Sequence, residues 1–273
     1  MNKMISDLVQ QALKEDIGSG DVSASLLKDE STTATIVTKE SCVVCGLDYA
    51  HYAFLSLNEQ VQINWLVSDG DSLQTGQTLC EINGRTRSML SAERVALNFL
   101  QTLSGVATQT YQLVSMIADT NAKLLDTRKT LPGLRLAQKY AVTCGGGVNH
   151  RLGLYDCVML KENHIIAAGS IKQAVALAFK QYPDLPLIVE VETLDQLTQS
   201  LTLDGITRVL CDNFSIQDLS RAVALAKDKL PIEASGNIDQ TNILQVAKTG
   251  VDYISIGSIT KNIKSIDLSL RFA

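Results

Sequence analysis

Three consecutive glycines followed by two basic residues form the sharpest chemical signal in the sequence. The glycines are Gly145–Gly147, and His150 and Arg151 come shortly after them. Successive glycines let a backbone approach a ligand closely and direct several N–H groups at an anion. A glycine run alone is typical of any loop, but His150 and Arg151 would add two charge-assisted donors. With Lys161 at the end of the next apolar run, the pattern predicts an anion-binding site.

The cations of the chain are concentrated around this motif. Residues 85–162 contain ten Lys and Arg against five Asp and Glu, a net charge of +5. Because the whole chain has a net charge of −5, subtracting +5 leaves −10 for the remaining residues. Arg128, Arg151 and Lys161 border apolar runs or the glycines, where a solvated charge is a poor explanation. We therefore expect these three residues to bind a small polyanion.

Three other cations in this stretch have competing interpretations. Arg135 and Lys139 fit the solvated face of a helix. Ser91 is predicted to cap a long helix, which places Arg94 in its first turn. A cation there is disfavoured by the helix dipole, by about 0.3–1 kcal/mol. Either Glu93 offsets this cost, or Arg94 is placed to meet an anionic ligand.

Two carboxylates, Glu190 and Asp212, end apolar runs in the second half of the chain. Such groups suit a hard divalent cation shared with substrate phosphates, or hydrogen bonds to ribose hydroxyls. The sequence does not fix the register of the first of these strands, so Glu192 is the alternative ligand. Two later loops lie where barrels often bind phosphate. They contain Ser235, Gly236, Asn237, Gly257 and Ser258.

Alternating strands and helices must position these residues. Strand-like runs lead into positions 126, 161, 190, 212, 235 and 257, at spacings of 35, 29, 22, 23 and 22 residues. Such spacing is typical of βα units with a parallel sheet. We predict an α/β barrel of six or seven strands, complete or open, because a barrel brings the strand ends closer together than a doubly wound sheet. The predicted strands are Lys123–Thr127, Asp156–Leu160, Leu187–Val191, Arg208–Cys211, Ile232–Ala234 and Tyr253–Ile256, and the helices are Ile171–Phe179, Leu194–Leu201, Leu219–Ala226 and Ile243–Ala247.

The first part of the chain has a different pattern. Apolar residues at helical spacing predict an amphipathic helix that ends at the turn-forming residues 16–21. From about residue 32 to residue 87, turn signals separate short strands. We place a domain boundary near residue 105, giving a first domain of residues 1–105 and a barrel of residues 106–273. About the last 12 residues could return to the first domain.

Composition excludes several classes of protein. With 45% hydrophobic and 19% charged residues, the chain has a globular composition. No run approaches the roughly 18 apolar residues of a membrane helix, and a net charge of −5 argues against nucleic-acid or membrane-surface binding. We therefore expect a soluble, intracellular protein whose six cysteines stay reduced. Cys42 and Cys45 are interpreted as small apolar residues rather than as a zinc or redox motif.

Six blocks in order along the chain resemble the quinolinate phosphoribosyltransferase family. They are EDIGSGDVS at 15–23, SAERVALNFLQTLSGVAT at 91–108, DTRKTLPGLR at 126–135, GGGVNHRLGLYDCVMLKENHI at 145–165, EASGNI at 233–238 and VDYISIGSIT at 251–260. The resemblance implies an N-terminal α/β sandwich domain and a C-terminal open, TIM-like α/β barrel. It implies a cytoplasmic homodimer of NAD biosynthesis that uses Mg2+. The reaction would convert quinolinate and phosphoribosyl pyrophosphate into nicotinate mononucleotide, pyrophosphate and carbon dioxide.

The resemblance also implies roles for individual residues. The two carboxylates of quinolinate would be bound by Arg94 of the neighbouring subunit together with Arg128, His150, Arg151 and Lys161. The catalytic residues would be Lys129, Lys161, Glu190 and Asp212. The phosphoribosyl donor would be bound by Lys129, Glu190, Asp212, Ser235, Gly236, Asn237, Gly257 and Ser258, and the metal by Glu190 and Asp212, largely through the substrate.

The sequence departs from the family pattern at two positions, and three other functions are alternatives. Leu131 stands where many members have threonine, and Glu162 where many have aspartate. A related pyrophosphorylase-like paralogue found with molybdenum transport would differ in the blocks around His150 and Lys161. Lys161 could instead be the Schiff-base lysine of a barrel aldolase or decarboxylase. A catalytically silent protein that binds phosphorylated sugars is the third alternative, and turnover in an assay would exclude it.

Overall fold

Two main sheets organise the chain, each within its own unit. The computed structural model describes residues 3–273. The first unit comprises the described residues up to Gln109 together with Ile263–Ala273, and the second unit is Thr110–Asn262. Among the described residues, no helix combines the length and the hydropathy that crossing a membrane requires.

The elements follow in this order along the chain. Up to residue 116 they are α1 (Lys3–Ile17), a 3-10 turn (Ala24–Leu26), β1 (Ser31–Thr38), β2 (Cys42–Val43), α2 (Leu47–Leu57), β3 (Gln62–Trp65), β4 (Ser72–Leu73), β5 (Thr78–Arg85) and α3 (Thr86–Met116). Next come β6 (Lys123–Leu125), α4 (Arg135–Cys144), β7 (Val158–Leu160), α5 (Glu162–Ala168), α6 (Ile171–Gln181), β8 (Leu187–Val191) and α7 (Leu194–Ser200). The last are β9 (Arg208–Asp212), α8 (Ile216–Ala226), β10 (Ile232–Ser235), α9 (Ile243–Ala247), β11 (Tyr253–Ser255), α10 (Ser258–Lys261) and β12 (Leu268–Phe272).

An antiparallel sheet forms the first unit, with the strand order β12-β1-β5-β3. Along β1, Ala34, Ile36 and Thr38 are buried while the residues between them are not, which is the period of two that a half-buried strand requires. α1 packs on α2 and buries every fourth residue of its apolar stripe, as the helical spacing predicts. The sheet and these helices give this unit its α/β character.

The helix α2 is a correction, because the sequence there predicts mostly short strands and no helix was identified. Its first N–H groups are not capped by a neighbouring side chain. Instead, Asp69 Oδ1 accepts hydrogen bonds from the N–H groups of Gly46 (2.9 Å) and Leu47 (3.1 Å). Because this acceptor lies more than twenty residues away along the chain, no local signal marks the start of the helix.

The start of α3 is a second correction. The helix begins at Thr86, directly after β5, and not at Ser91. The carbonyl of Glu30 accepts the N–H of Thr86, and a carboxylate oxygen of Asp29 accepts the N–H of the following residue. Ser91 lies within the helix, where its hydroxyl donates to Asp21 Oδ2 at 2.8 Å. Arg94 is therefore more than two turns from the N-terminus, too far for the dipole to disfavour it.

Six parallel strands in the order β6-β11-β10-β9-β8-β7 form the sheet of the second unit. Each strand from β7 to β10 pairs with the next along the chain, and β6 pairs with β11. The edge strands β6 and β7 are not paired with each other, so the barrel is open, as predicted. Because all six strands run the same way, their carboxyl ends and the residues that follow them lie at one edge.

Candidate active site

A cavity of about 360 Å3 lies at the carboxyl ends of the strands. This volume is within the range of small-molecule sites. Eight of the residues singled out from the sequence line it: Arg128, Lys129, His150, Arg151, Lys161, Glu190, Asp212 and Ser235. The parallel sheet thus brings together residues that are spread over more than a hundred positions of the chain.

Two arginines dominate the cationic side of the cavity. Nε of Arg128 is buried and has no hydrogen-bond partner among the described residues. Arg151 donates from Nη1 to the carbonyl of Cys157 at 3.1 Å. Burial and the nearby Arg128 guanidinium lower the pKa of Arg151, which shows that these two cations repel each other. A buried unpaired donor beside a like charge is a favourable partner for an anion.

Arg135 holds the loop that carries Arg128, which corrects its interpretation as part of a solvated face. Its guanidinium donates to the hydroxyl of Thr130 (3.1 Å) and to the carbonyls of Leu152 (3.3 Å) and Arg128 (3.4 Å). Several hydrogen bonds from one planar group fix the relative position of the two loops they join. Arg135 therefore positions the anion site.

Lys139 is the larger correction, since it is 1% exposed and not solvated. It forms a buried ion pair with Asp126, and its ammonium also donates to the carbonyl of His150 at 3.0 Å. Asp126 Oδ1 in turn accepts the N–H of His150 at 2.8 Å. The amide nitrogen of Asn149, in the orientation that satisfies both amide atoms, donates to Asp126 Oδ2 at 2.7 Å. Lys139 therefore binds the backbone carbonyl of His150 and Asp126 binds its backbone N–H, so the pair fixes the position of this residue.

Glu233 in β10 lines the cavity but was missed by the sequence reasoning. Its side chain is fully buried, and its carboxylate lies 2.8 Å from Arg208 Nε and 3.5 Å from His150 Nε2. Burial tends to raise the pKa of Glu233, but His150 and Arg208 outweigh this effect and hold the pKa below its usual value. A charged residue within the apolar run of β10 was the signal that could have identified it.

Glu190 and Asp212 form the anionic side of the cavity. Glu190 Oε2 lies 2.6 Å from Lys161 Nζ, an ion pair between strand ends. Burial and the charge of Glu190 raise the pKa of Asp212. Glu192 lies beyond the end of β8 and lines a different cavity, so of the two glutamates it is Glu190 that faces the basic residues.

These two carboxylates have the chemistry that a hard divalent cation requires. Both offer oxygen ligands at one edge of the sheet, and the charge of Glu190 adds to burial in raising the pKa of Asp212, so the two carboxylates lie close enough to interact. Two protein oxygens with the remaining positions filled by water and substrate phosphates are typical of Mg2+. Glu190 and Asp212 therefore fit the metal that the sequence resemblance implies.

The predicted phosphate loops border the cavity. Gly236 has φ +93°, and a Cβ there would lie 2.2 Å from the amide oxygen of Asn213, so only glycine fits. Asn237 donates to Asn213 at 3.0 Å, and Asn213 donates to Asp212 Oδ2 at 2.8 Å. The other loop passes close to a catalytic candidate, since a Cβ on Gly257 would meet the Lys129 side chain at 2.7 Å. Ser258 begins α10.

Arg94 belongs to the first unit, where it is exposed on α3. The residues that line the cavity all belong to the second unit. The other predicted quinolinate ligands thus lie together within one unit, and Arg94 lies outside it.

A second cavity in the same barrel has a volume of about 550 Å3. It lies at the amino-terminal ends of the strands, where Pro186, Thr207, Pro231 and Tyr253 line it. Although it is the larger cavity, it is the poorer candidate, because active sites of such barrels lie at the carboxyl ends of the strands. Arg208, the cation at this end of the strands, is also already paired with Glu233.

Comparison with known proteins gives consistent matches over almost the whole chain. The family model described as quinolinate phosphoribosyl transferase, N-terminal domain, matches residues 17–104, and the C-terminal domain of the same family matches residues 106–271. A probable nicotinate-nucleotide pyrophosphorylase (carboxylating) of Bacillus subtilis is 40% identical over 268 residues, covering 97% of this chain and 92% of that protein. The corresponding Mycobacterium leprae protein is 38% identical, covering 97% and 95%.

Solved structures give the same result. The structure of nicotinate-nucleotide pyrophosphorylase from Francisella tularensis superimposes with a TM-score of 0.98 at 48% sequence identity. The match covers 100% of this chain and 97% of that one. This chain is therefore similar to that protein in sequence and in fold over its whole length.

Proposed function

The chain belongs to the quinolinate phosphoribosyltransferase family, and we propose that it catalyses the reaction for which that family is named. The enzyme transfers the phosphoribosyl group of phosphoribosyl pyrophosphate to the ring nitrogen of quinolinate. Loss of the 2-carboxylate as carbon dioxide and uptake of a proton then give nicotinate mononucleotide, with pyrophosphate as the other product. This reaction feeds the synthesis of NAD. The observation that carries the proposal is the buried, unpartnered Nε of Arg128 beside the mutually repelled Arg151.

Quinolinate is a dianion, and Arg128 and Arg151 supply the charge that it needs. Hydrogen bonds to charged groups contribute about 1.5–3 kcal/mol each, so a few of them suffice for both affinity and orientation. Lys161, 2.6 Å from Glu190, completes the cationic wall. The Lys161 amine is thus paired with a carboxylate, whereas the Schiff-base alternative needs an amine that is free to attack a carbonyl.

The phosphoribosyl donor would be bound by the carboxylates and the loops at the strand ends. Asp212 and Glu190 would hold Mg2+ and the ribose hydroxyls, and the loop at Gly236 lies beside Asp212. When bound, Mg2+ supplies positive charge that stabilises the departing pyrophosphate. Lys129, on the loop after β6, adds a second positive charge.

Departure of pyrophosphate develops positive charge on the ribose carbon, which the quinolinate nitrogen attacks. The pyridinium that forms is an electron sink next to the 2-carboxylate, so the bond to carbon dioxide can break without a nucleophilic side chain. Arg128 and Arg151 orient the carboxylates toward the ribose carbon.

Direct assay tests this proposal. Purified protein incubated with quinolinate, phosphoribosyl pyrophosphate and Mg2+ should form nicotinate mononucleotide and carbon dioxide in equal amounts. Nicotinate should not replace quinolinate, because it has one carboxylate fewer to pair with Arg128 and Arg151. Chromatography of the products measures both reactions. Absence of product, or equal turnover of nicotinate, would refute the proposal.

We further propose that a homodimer is the active form, with Arg94 completing the quinolinate site of the neighbouring subunit. Arg94 is exposed and belongs to the first unit, whereas the cavity belongs to the second. The second unit also exposes large apolar side chains that suit association, with Leu154 and Tyr155 74% and 72% exposed.

Mixing two inactive variants tests this arrangement. Arg94→Ala and Lys161→Ala should each lose activity, and subunit exchange between them should restore part of it, because a heterodimer contains one complete site. Activity after exchange is compared with each variant alone, and native mass spectrometry verifies the heterodimers. If verified heterodimers stay inactive, Arg94 serves its own subunit.

A further inference from the structure

Glu233, a buried carboxylate that the proposed mechanism does not use, lies inside the barrel. Its exposure is 0%, and its two oxygens lie 2.8 Å from Arg208 Nε and 3.5 Å from His150 Nε2. Arg208, at the start of β9, lies over the ring of Tyr253 with its guanidinium carbon 4.6 Å from the ring centre. Glu233 thus joins His150, in the anion cavity, to a cation at the amino-terminal end of the strands.

The contacts of His150 define the state of its ring. Nδ1 accepts a hydrogen bond from the backbone N–H of Arg151 at 2.7 Å, so the proton of the neutral ring is on Nε2. Nε2 lies 3.5 Å from the carboxylate of Glu233, which can only accept, and 3.4 Å from Nη2 of Arg208, which can only donate, so Glu233 is the group that favours a proton on Nε2. Both ring nitrogens therefore face protein groups, and the ring connects Glu233 to the backbone of Arg151.

Stability alone is a poor explanation for Glu233. A buried ion pair often contributes no more to stability than apolar residues of similar volume. A negative charge that lines a cavity for a dianion also opposes binding of that dianion. The 2.8 Å contact with Arg208 Nε is a short ion pair that holds the carboxylate in place, and from there the charge of Glu233 favours a proton on the facing Nε2 of His150, 3.5 Å away. The presence of Glu233 is therefore better explained by the groups that it orients.

We propose that Glu233, held by Arg208, is a positioning residue for quinolinate binding. It keeps the His150 ring in the tautomer protonated on Nε2, and through the N–H of Arg151 it fixes the backbone from which that arginine reaches the substrate. This inference rests on the proposed function, since quinolinate is the ligand whose affinity changes.

The substitution Glu233→Gln separates orientation from charge, because the two effects have opposite signs. If Glu233 only added negative charge, removing it would strengthen binding of the quinolinate dianion. Since it orients His150 and Arg151, we expect the Kd of quinolinate to rise about tenfold, which corresponds to about 1.4 kcal/mol. The KM for quinolinate should rise with it, while kcat at saturating quinolinate and the KM for phosphoribosyl pyrophosphate stay near wild type.

Two measurements on the full-length protein test the proposal. Isothermal titration calorimetry gives the Kd of quinolinate. Long-range 1H–15N NMR reports the tautomer of each imidazole, and with three histidines in the chain the spectrum is simple to assign. We expect the Nε2–H tautomer for His150 in the wild type and a mixture in the Gln variant. An unchanged or tighter Kd, or an unchanged His150 signal in the variant, would overturn the proposal.

Matched variants exclude a merely structural effect and keep the test informative. Val209→Ala truncates a fully buried residue next to Arg208, on the opposite face of β9, so it should lower stability without changing the Kd of quinolinate. If the Gln variant does not fold, Arg208→Lys is measured instead, and a smaller rise in Kd is expected; no rise would refute the proposal. Wild-type protein without quinolinate affinity would refute the proposed function, whereas the NMR comparison would still report on Glu233.

Discussion

Replacing Arg128 with alanine is expected to remove measurable quinolinate binding while the fold is retained. Arg128 offers a buried Nε that no described residue accepts, so its donors are left for the ligand. Loss of a charge-assisted contact of a buried arginine costs up to about 3 kcal/mol, which lowers affinity about a hundredfold. Isothermal titration calorimetry with quinolinate measures the effect.

Stability should hardly change in this variant, which distinguishes it from a folding defect. Burial, and after it repulsion by Arg128, lower the pKa of Arg151, so removal of Arg128 relieves an unfavourable interaction. Urea unfolding should therefore give a midpoint at or slightly above that of the wild type. Arg221→Ala, on an exposed face of α8, is the matched control and should leave quinolinate affinity unchanged. Retained affinity in the Arg128 variant would remove Arg128 from the site.

Replacing Lys139 with methionine is expected to cause the largest loss of stability. The change keeps the length of the side chain but leaves Asp126 as a buried charge without its partner. Breaking a buried ion pair in this way costs about 3–5 kcal/mol, far more than the net contribution of an intact pair. The free energy of unfolding in urea, at constant pH, is the quantity to compare with the wild type.

Two further variants identify the cause of this loss. Lys229→Met, at an exposed position, should change the free energy of unfolding by less than about 0.5 kcal/mol. In the double variant Asp126→Asn with Lys139→Met, the unpaired charge is gone, so part of the lost stability should return. A single variant as stable as the wild type would mean that Asp126 is not charged in the folded protein.

Local patterns were sufficient to predict most elements of the second unit. The run Leu187–Val191 is a strand with the predicted bounds, and Ile243–Ala247 is a helix with the predicted bounds. Each strand here is a short apolar run between turn signals, and each helix shows its own apolar spacing, so neighbouring residues carry the information. The regular spacing of the strands then indicates the open barrel.

Elements whose ends depend on distant residues could not be located in this way. α2 starts where Asp69 accepts two backbone N–H groups, and α3 starts where Asp29 and Glu30 do the same. A cap supplied from elsewhere in the chain leaves no signature beside the helix it stabilises. Ser91 therefore looks like a helix cap in the sequence, but in the folded chain its hydroxyl binds Asp21 instead.

The sequence by itself determined the family, the barrel and the concentration of cations that suits a small polyanion. Only the tertiary structure decided which of those cations are available to a ligand. From its sequence position Lys139 is expected to be solvated, but it forms a buried ion pair with Asp126. Arg128, in contrast, has a buried Nε without a partner among the described residues. Residue type determines whether a side chain is charged. Whether that charge is buried, paired or available to a ligand depends on groups that are distant along the chain, and only the folded structure brings those groups together.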